Sequence, residues 1–156
     1  MGFNQHGPLA TDYTQQICRF IKTLKYEDIP PAVIERAKMM VMQTIGVSLC
    51  SAELQQIKDV IEISKEMSPG GEGTATLWAD GKKVSWEAAA LPAGTMGDTL
   101  DWEDCSWTGH PSAGIIPCAW LAAEERHKSG KDLITAIVTG YEVYQRIAMA
   151  VQPSDE

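Results

Sequence analysis

The chain has 156 residues, of which 44% are hydrophobic, and a formal net charge of -8 at pH 7. This length suits a single domain that buries roughly 70% of its unfolded surface, so a core can form without disulfides or metals. Lys and Arg total 13 and form no basic run. Nucleic-acid binders need clustered cations, and we therefore expect no nucleic-acid partner.

Cysteine usage and hydropathy favour a cytoplasmic protein. The four cysteines form no CxxC pair and stand at Cys18, Cys50, Cys105 and Cys118. Such spacing is typical of a reducing compartment. No apolar signal region follows the first residue, and the longest apolar run, residues 113–123, is too short to span a bilayer. We expect no membrane partner, and we expect Cys118, inside that run, to be a core residue.

Apolar periodicity predicts three helices in the first 67 residues. The first follows a cap at Thr11 or Asp12. The second starts at Pro30-Pro31, since proline suits a first helical turn, and its apolar residues spread so widely that we expect cover on most sides. The third runs over residues 53–67 and ends in a glycine-rich connector.

A hairpin and three more helices are predicted in the remainder. Asp80-Gly81, between two short strand patterns in residues 74–84, is typical of a two-residue hairpin turn. Ser85 caps the next helix, which contains Pro92 as an expected kink.

A nearly continuous apolar run then predicts a buried helix over residues 112–128, with Gly130 as its stop. Its regular part is expected to start near Gly114, because Pro117 would clash with a carbonyl four residues earlier. A broad apolar face predicts the last helix over residues 131–152. The predicted fold class is all-α, a helical bundle with one short β-hairpin.

The segment between the fourth and fifth helices, residues 98–111, holds four carboxylates, two tryptophans, a thiol and a histidine. Asp101 and His110 are its natural acid–base pair, because Gly109 and Pro111 let the loop fold back on itself. The alternative is a solvated helix end with His110 as a helix cap. Both readings stay open on spacing alone.

A metal site is the third interpretation of this segment. Cys105 and His110 supply only two of the four ligands that structural zinc needs, and the calcium-loop glycine is missing. We therefore expect no metal, and an acid-rich metal-binding module is the least favoured of the three readings.

Several ordered motifs resemble the N-terminal part of the MmgE/PrpD family. They are Ile-Pro-Pro-x-Val-x-Glu-Arg-Ala-Lys at residues 29–38, the run from Ala93 through Asp-Trp-Glu-Asp and Gly-His-Pro to Ala119, Ser-Gly-Lys-Asp-Leu-Ile at 129–134, and Gly-Tyr-Glu-Val-Tyr-Gln-Arg-Ile at 140–147. The ordered set covers nearly the whole chain and is far more specific than any one motif.

The resemblance implies a metal-free, cofactor-free lyase or isomerase that acts on a small polycarboxylate. Family members include 2-methylcitrate dehydratase, cis-aconitate decarboxylase and iminodisuccinate epimerase. The family's active-site Asp and His fall on Asp101, which would position substrate or shuttle a proton, and His110, which would act as acid or base. Cys105 stands at a substrate-binding position that often carries a hydroxyl residue.

Family enzymes are much longer than this chain. They add a further helical segment, an α+β lid and downstream catalytic His, Lys and Tyr residues. The resemblance implies that residues 1–156 form a partial helical domain without those parts. We expect a 2-methylcitrate dehydratase-like lyase that is completed by a large subunit or by homo-oligomerisation. The alternatives are an isomerase, epimerase or decarboxylase of the same family, and a non-catalytic interaction subunit or relic.

Overall fold

The computed structural model describes residues 12–68, 73–106 and 109–151. The described helices are α1 (Tyr13–Thr23), α2 (Pro31–Ser51), α3 (Gln55–Met67), α4 (Trp86–Asp98), α5 (Pro111–Glu125) and α6 (Gly130–Val151). A short 3-10 helix spans Tyr26–Asp28, and two strands, β1 (Ala75–Thr76) and β2 (Lys83–Val84), pair antiparallel. The predicted all-α bundle with one short hairpin is confirmed. Among the described helices, none has the length and apolar character needed to cross a membrane.

Two apolar clusters form the core, and α5 contributes to both. One cluster joins α3, the hairpin and α4 to Leu121 of α5, with Ile57 and Met96 fully buried. The other joins α2 and α6 to Ile116 of α5, with Ile137 almost fully buried. Because α5 lies between these clusters, its N-terminus occupies a fixed position in the bundle.

The first two helices begin where the sequence predicts but bury less than expected. Asp12 caps α1 by accepting a hydrogen bond from the Gln15 amide at 3.0 Å, while Thr11 lies outside the described residues. No residue of α1 is buried. The expectation that α2 is covered on most sides is wrong for this chain, because Met42 is 72% and Leu49 55% exposed.

The hairpin differs from the prediction in its turn. Its strands are joined by residues 77–82, so the connection is six residues long and the two-residue turn is wrong. Gly81 has a φ of +73° and donates to the Leu77 carbonyl at 2.8 Å. The local preference of Asp-Gly for a turn is retained, but the turn lies within a longer loop.

A partly exposed ion pair connects the hairpin to α5. Glu124 accepts from the Thr76 amide at 3.0 Å and lies 2.5 Å from the ammonium of Lys83. Partial burial acts to raise the pKa of Glu124, but the hydrogen bonds from Lys83 and Thr76 outweigh it and leave the pKa below its ordinary value.

Helix α5 starts earlier and ends earlier than predicted. It begins at Pro111 rather than near Gly114, so that Pro117 lies buried in its interior. It ends at Glu125, and His127 has a φ of +50°, which stops the helix before Gly130. Pro92 likewise lies inside α4, which continues through it.

The prediction that Cys118 is a core residue is wrong. Helix α5 buries the face that carries Ile116, Pro117 and Leu121, and Cys118 falls on the exposed side. An apolar run therefore does not imply burial on every side of a helix. In α6, similarly, Ile134 and Ile137 are the buried residues.

Candidate functional site

The acidic loop, defined here as residues 99–110, connects α4 to α5 and begins with a strained turn. Asp101 has a φ of +54°, a left-handed conformation that non-glycine residues adopt rarely. Its amide donates to the Asp98 carbonyl at 3.1 Å. Such a conformation needs support from surrounding contacts, and the neighbouring residues Trp102 and Asp104 are held by side chains or amides of α2, α5 and α6.

Asp101, Glu103 and His110 converge at one point of this loop. Nδ1 of His110 lies 2.7 Å from Oε1 of Glu103 and 3.7 Å from Oδ1 of Asp101. The expected approach of Asp101 to His110 is thus present in the structure. The nearer partner, however, is Glu103, which the sequence alone did not single out.

The two carboxylates have opposite environments. The Glu103 side chain is 1% exposed, whereas the Asp101 side chain is 83% and the His110 side chain 38% exposed. Oε2 of Glu103 is buried and has no hydrogen-bond partner within the described part of the chain. The solvated-helix-end reading therefore fails for Glu103. His110 does occupy the N-cap position of α5, but its side chain makes no capping hydrogen bond.

Asp104 performs the capping instead. Its carboxylate accepts from the Ser112 amide in the first turn of α5 at 3.1 Å and from the Tyr141 hydroxyl of α6 at 3.1 Å. Burial and the neighbouring Asp104 charge raise the pKa of Tyr141 far above its ordinary value. Tyr141 therefore anchors the acidic loop to α6.

Two further contacts fix the loop backbone. The side-chain amide of Gln43 on α2 donates to the Trp102 carbonyl at 2.9 Å. Ser106 and Gly109 exchange backbone hydrogen bonds of 2.8 and 3.2 Å. Gly109 has a φ of +130°, and a Cβ there would lie 2.6 Å from the Tyr144 hydroxyl, so glycine is required.

Cys105 lies apart from the cluster of Asp101, Glu103 and His110. It is exposed, its thiol contacts the Ser106 carbonyl at 3.4 Å, and it lines a cavity of about 270 Å³ between the loop, α2 and α6. Arg36 lines the same cavity and has no ion-pair partner among the described residues. The loop thus has a cation near it, on the side of Cys105.

Asp101, Glu103 and His110 are also the described residues that could hold a metal ion, with one ligand atom from each within 4.8 Å of the others. Tetrahedral zinc ligands at about 2.1 Å from the ion lie about 3.4 Å apart. The 2.7 Å between His110 and Glu103 is shorter than that and is typical of a direct hydrogen bond. An ion could enter only if these two side chains separated.

The arrangement is chemically suited to proton transfer. The imidazole of His110 is 38% exposed and lies beside a buried carboxylate and near an exposed one, so Nδ1 is held by a hydrogen bond while the ring keeps contact with solvent. The composition of the loop predicts the cluster of titratable groups. That composition does not show that Glu103, rather than its acidic neighbours, is the buried partner of His110. The sequence around Gln43 likewise gives no sign that Gln43 contacts the loop.

Comparison with known proteins places the chain in a family. Residues 15–156 match the model of the MmgE/PrpD N-terminal domain. The chain is 24% identical to the cis-aconitate decarboxylase-like protein oryM of Aspergillus oryzae, over 91% of the chain and 31% of that protein. It is 26% identical to cis-aconitate decarboxylase of Aspergillus terreus, over 91% of the chain and 30% of that protein.

The human cis-aconitate decarboxylase is also 26% identical, over 86% of the chain and 29% of that protein. The chain therefore spans less than a third of the length of these relatives. No solved structure matches it significantly. The match to the family model extends from within α1 to the end of α6 and includes the whole acidic loop. This chain belongs to the MmgE/PrpD family and carries its N-terminal domain.

Proposed function

We propose that this chain supplies the acidic and histidine side of a metal-free, cofactor-free lyase site for a small polycarboxylate. The observation that carries the proposal is the convergence of an accessible His110 with Asp101 and Glu103 at the start of α5. A 2-methylcitrate dehydratase-like reaction is the first candidate. Decarboxylation of cis-aconitate is the second, because the relatives reported above bear that name.

The proposed roles follow from exposure and reach. Lyase chemistry next to a carboxylate requires a group that moves a proton to or from carbon or a leaving oxygen near neutral pH, a task typical of histidine. His110 is the acid or base. Asp101, exposed and 3.7 Å from the ring, positions the substrate or shuttles the proton. Cys105 is the proposed substrate contact on the other side of the loop.

A polycarboxylate also needs cations, and this part of the proposal requires a partner. The chain carries a net charge of -8, and Arg36 is the cation that lines a cavity at the acidic loop. Two or three substrate carboxylates would need more positive charge than that. We propose that a large subunit carrying the rest of the family pattern, or a second copy of this chain, completes the site in the cytoplasm.

The test measures turnover of 2-methylcitrate and of cis-aconitate by this chain mixed with a candidate large subunit. His110→Ala should lower turnover roughly 100-fold or more, the usual contribution of a general acid–base group. Asp101→Asn should also lower it. His127→Ala is the matched control, because His127 follows α5 at its opposite end. Turnover should survive treatment with a chelator.

The outcomes separate the candidate functions. Full turnover in His110→Ala would refute the catalytic role of His110. Loss of turnover after chelation would refute the metal-free chemistry. Tight binding of a partner without turnover of either compound would favour the non-catalytic interaction subunit over the lyase.

A further inference from the structure

We propose that Glu103 is a positioning residue that fixes the tautomer of His110. It holds the proton on Nδ1, so that Nε2 is the nitrogen that exchanges protons with substrate. The catalytic meaning of this inference rests on the proposed function, but the tautomer itself is a property of this chain.

The contact distances distinguish Glu103 from Asp101. At 2.7 Å, Oε1 of Glu103 is within hydrogen-bonding distance of Nδ1, whereas Oδ1 of Asp101 at 3.7 Å is beyond it. With Glu103 ionised, its carboxylate only accepts, so Nδ1 carries the hydrogen; a protonated Glu103 would instead donate to Nδ1 and leave the ring hydrogen on Nε2. Turning the ring over would replace Nδ1 with a carbon and lose the contact.

Because Glu103 is buried, its carboxylate and the imidazole of His110 depend on each other. The Glu103 side chain is 1% exposed and its Oε2 has no partner in the described residues, so the imidazole is the polar group that compensates for taking this carboxylate out of water. Asp101 is solvated and needs no such partner. Removing His110 would leave an uncompensated buried charge, which costs more than the loss of the contact itself.

The residues on both sides of Glu103 are anchored, Trp102 through its backbone and Asp104 through its side chain. On one side Gln43 holds the Trp102 carbonyl at 2.9 Å. On the other, Asp104 holds the Ser112 amide of α5 at 3.1 Å, and Ser112 is two residues from His110. The carboxylate and the ring are therefore held by the same set of helices, as a positioning contact requires.

The first experiment reads the tautomer directly from the imidazole ¹⁵N shifts of His110 in the full chain, at a pH where the ring is neutral. We expect the Nδ1–H form. Glu103→Gln should give a mixture, because an amide can either donate or accept, while Asp101→Asn should keep the wild-type form. An Nε2–H form in the wild type, or a change in Asp101→Asn but not in Glu103→Gln, would overturn the inference.

The second experiment measures coupling by urea unfolding of His110→Ala, Glu103→Gln and the double variant. The double variant should unfold at a higher urea concentration than His110→Ala alone, because it no longer buries an unpaired charge. The inference would be contradicted if the loss of unfolding free energy in the double variant equalled the sum of the losses in the two single variants. Since neither readout involves turnover, an inactive mixture would refute the proposed function and leave the tautomer result standing.

Discussion

Three carboxylates within four residues of the acidic loop perform three different tasks. Asp101 is solvated in a left-handed turn, Glu103 is buried against His110, and Asp104 caps α5 and accepts from Tyr141. Carboxylate chemistry alone does not separate these residues. Their environments do: Asp101 lies in a turn closed by the nearby Asp98 carbonyl, whereas Asp104 is held by Tyr141 of α6, 37 residues away.

At the same scale, Tyr141→Phe tests the anchor of the loop. The pKa of Tyr141 is raised, first by burial and then by Asp104. The folded state therefore holds the phenol proton more tightly than the unfolded state, so this stabilisation is complete below pH about 10 and is lost as the pH rises further. Wild-type chain should lose stability above that pH.

The Tyr141→Phe variant should be about 1 kcal/mol less stable at pH 7, through loss of the hydrogen bond to Asp104, and should lose less stability between pH 9 and 11. Urea unfolding across that pH range measures both effects. Tyr13→Phe is the control, because Tyr13 is 65% exposed. Equal alkaline slopes in wild type and Tyr141→Phe would show that this phenol is not the group responsible.

The sequence alone predicts only part of this site. A glycine and a proline flank the histidine, so the spacing permits Asp101 and His110 to approach each other, but it also leaves a solvated helix end open. The role of Glu103 could not be predicted, since the burial of its side chain depends on the packing of the folded chain. The Gln43 contact spans 59 residues, and no local pattern reports it.

At the scale of elements, the crossing of α4 over α5 depends on small residues. A Cβ on Gly94 would lie 3.3 Å from the Ala113 carbonyl. That carbonyl is four residues before Pro117, which has no amide hydrogen to donate to it. The prediction of a later start for α5 rested on the local clash of proline, and the buried packing of the bundle overrides it.

This geometry predicts different effects for two glycine substitutions. Gly94→Ala should stabilise the chain less than Gly114→Ala does, because the new methyl group crowds a backbone carbonyl and this offsets the gain in helix propensity that both substitutions share. Gly114→Ala should stabilise it by about 0.5 to 1 kcal/mol, because a Cβ there meets nothing within 4 Å and alanine favours helix. Thermal or urea unfolding measures both variants. Equal effects of the two would contradict the proposed close approach.

At the scale of the whole molecule, the surface formed by α1 and the end of α6 exposes apolar side chains to solvent. Helix α1 has no buried residue, and with the end of α6 it lines an apolar groove of about 650 Å³. On α6, Ile147 is 52% and Met149 61% exposed. An apolar groove flanked by exposed apolar side chains is typical of an interaction site in soluble proteins.

We therefore predict that the chain associates in solution. Sedimentation velocity should show species larger than a monomer, and Ile147→Glu should shift the distribution towards monomer while the circular dichroism spectrum stays unchanged. Met67→Glu, at a 56% exposed position on α3, is the control. A folded wild-type monomer at high concentration would refute the prediction.

The contacts that hold the acidic loop also constrain the order of folding. The hydrogen bonds from Gln43 to Trp102 and from Tyr141 to Asp104 close chain segments of 59 and 37 residues. Such closures are entropically costly and form after local helical turns. A chain with its helices formed but not yet packed would thus lack the His110 cluster, and proton-transfer geometry would arise only with the completed tertiary structure.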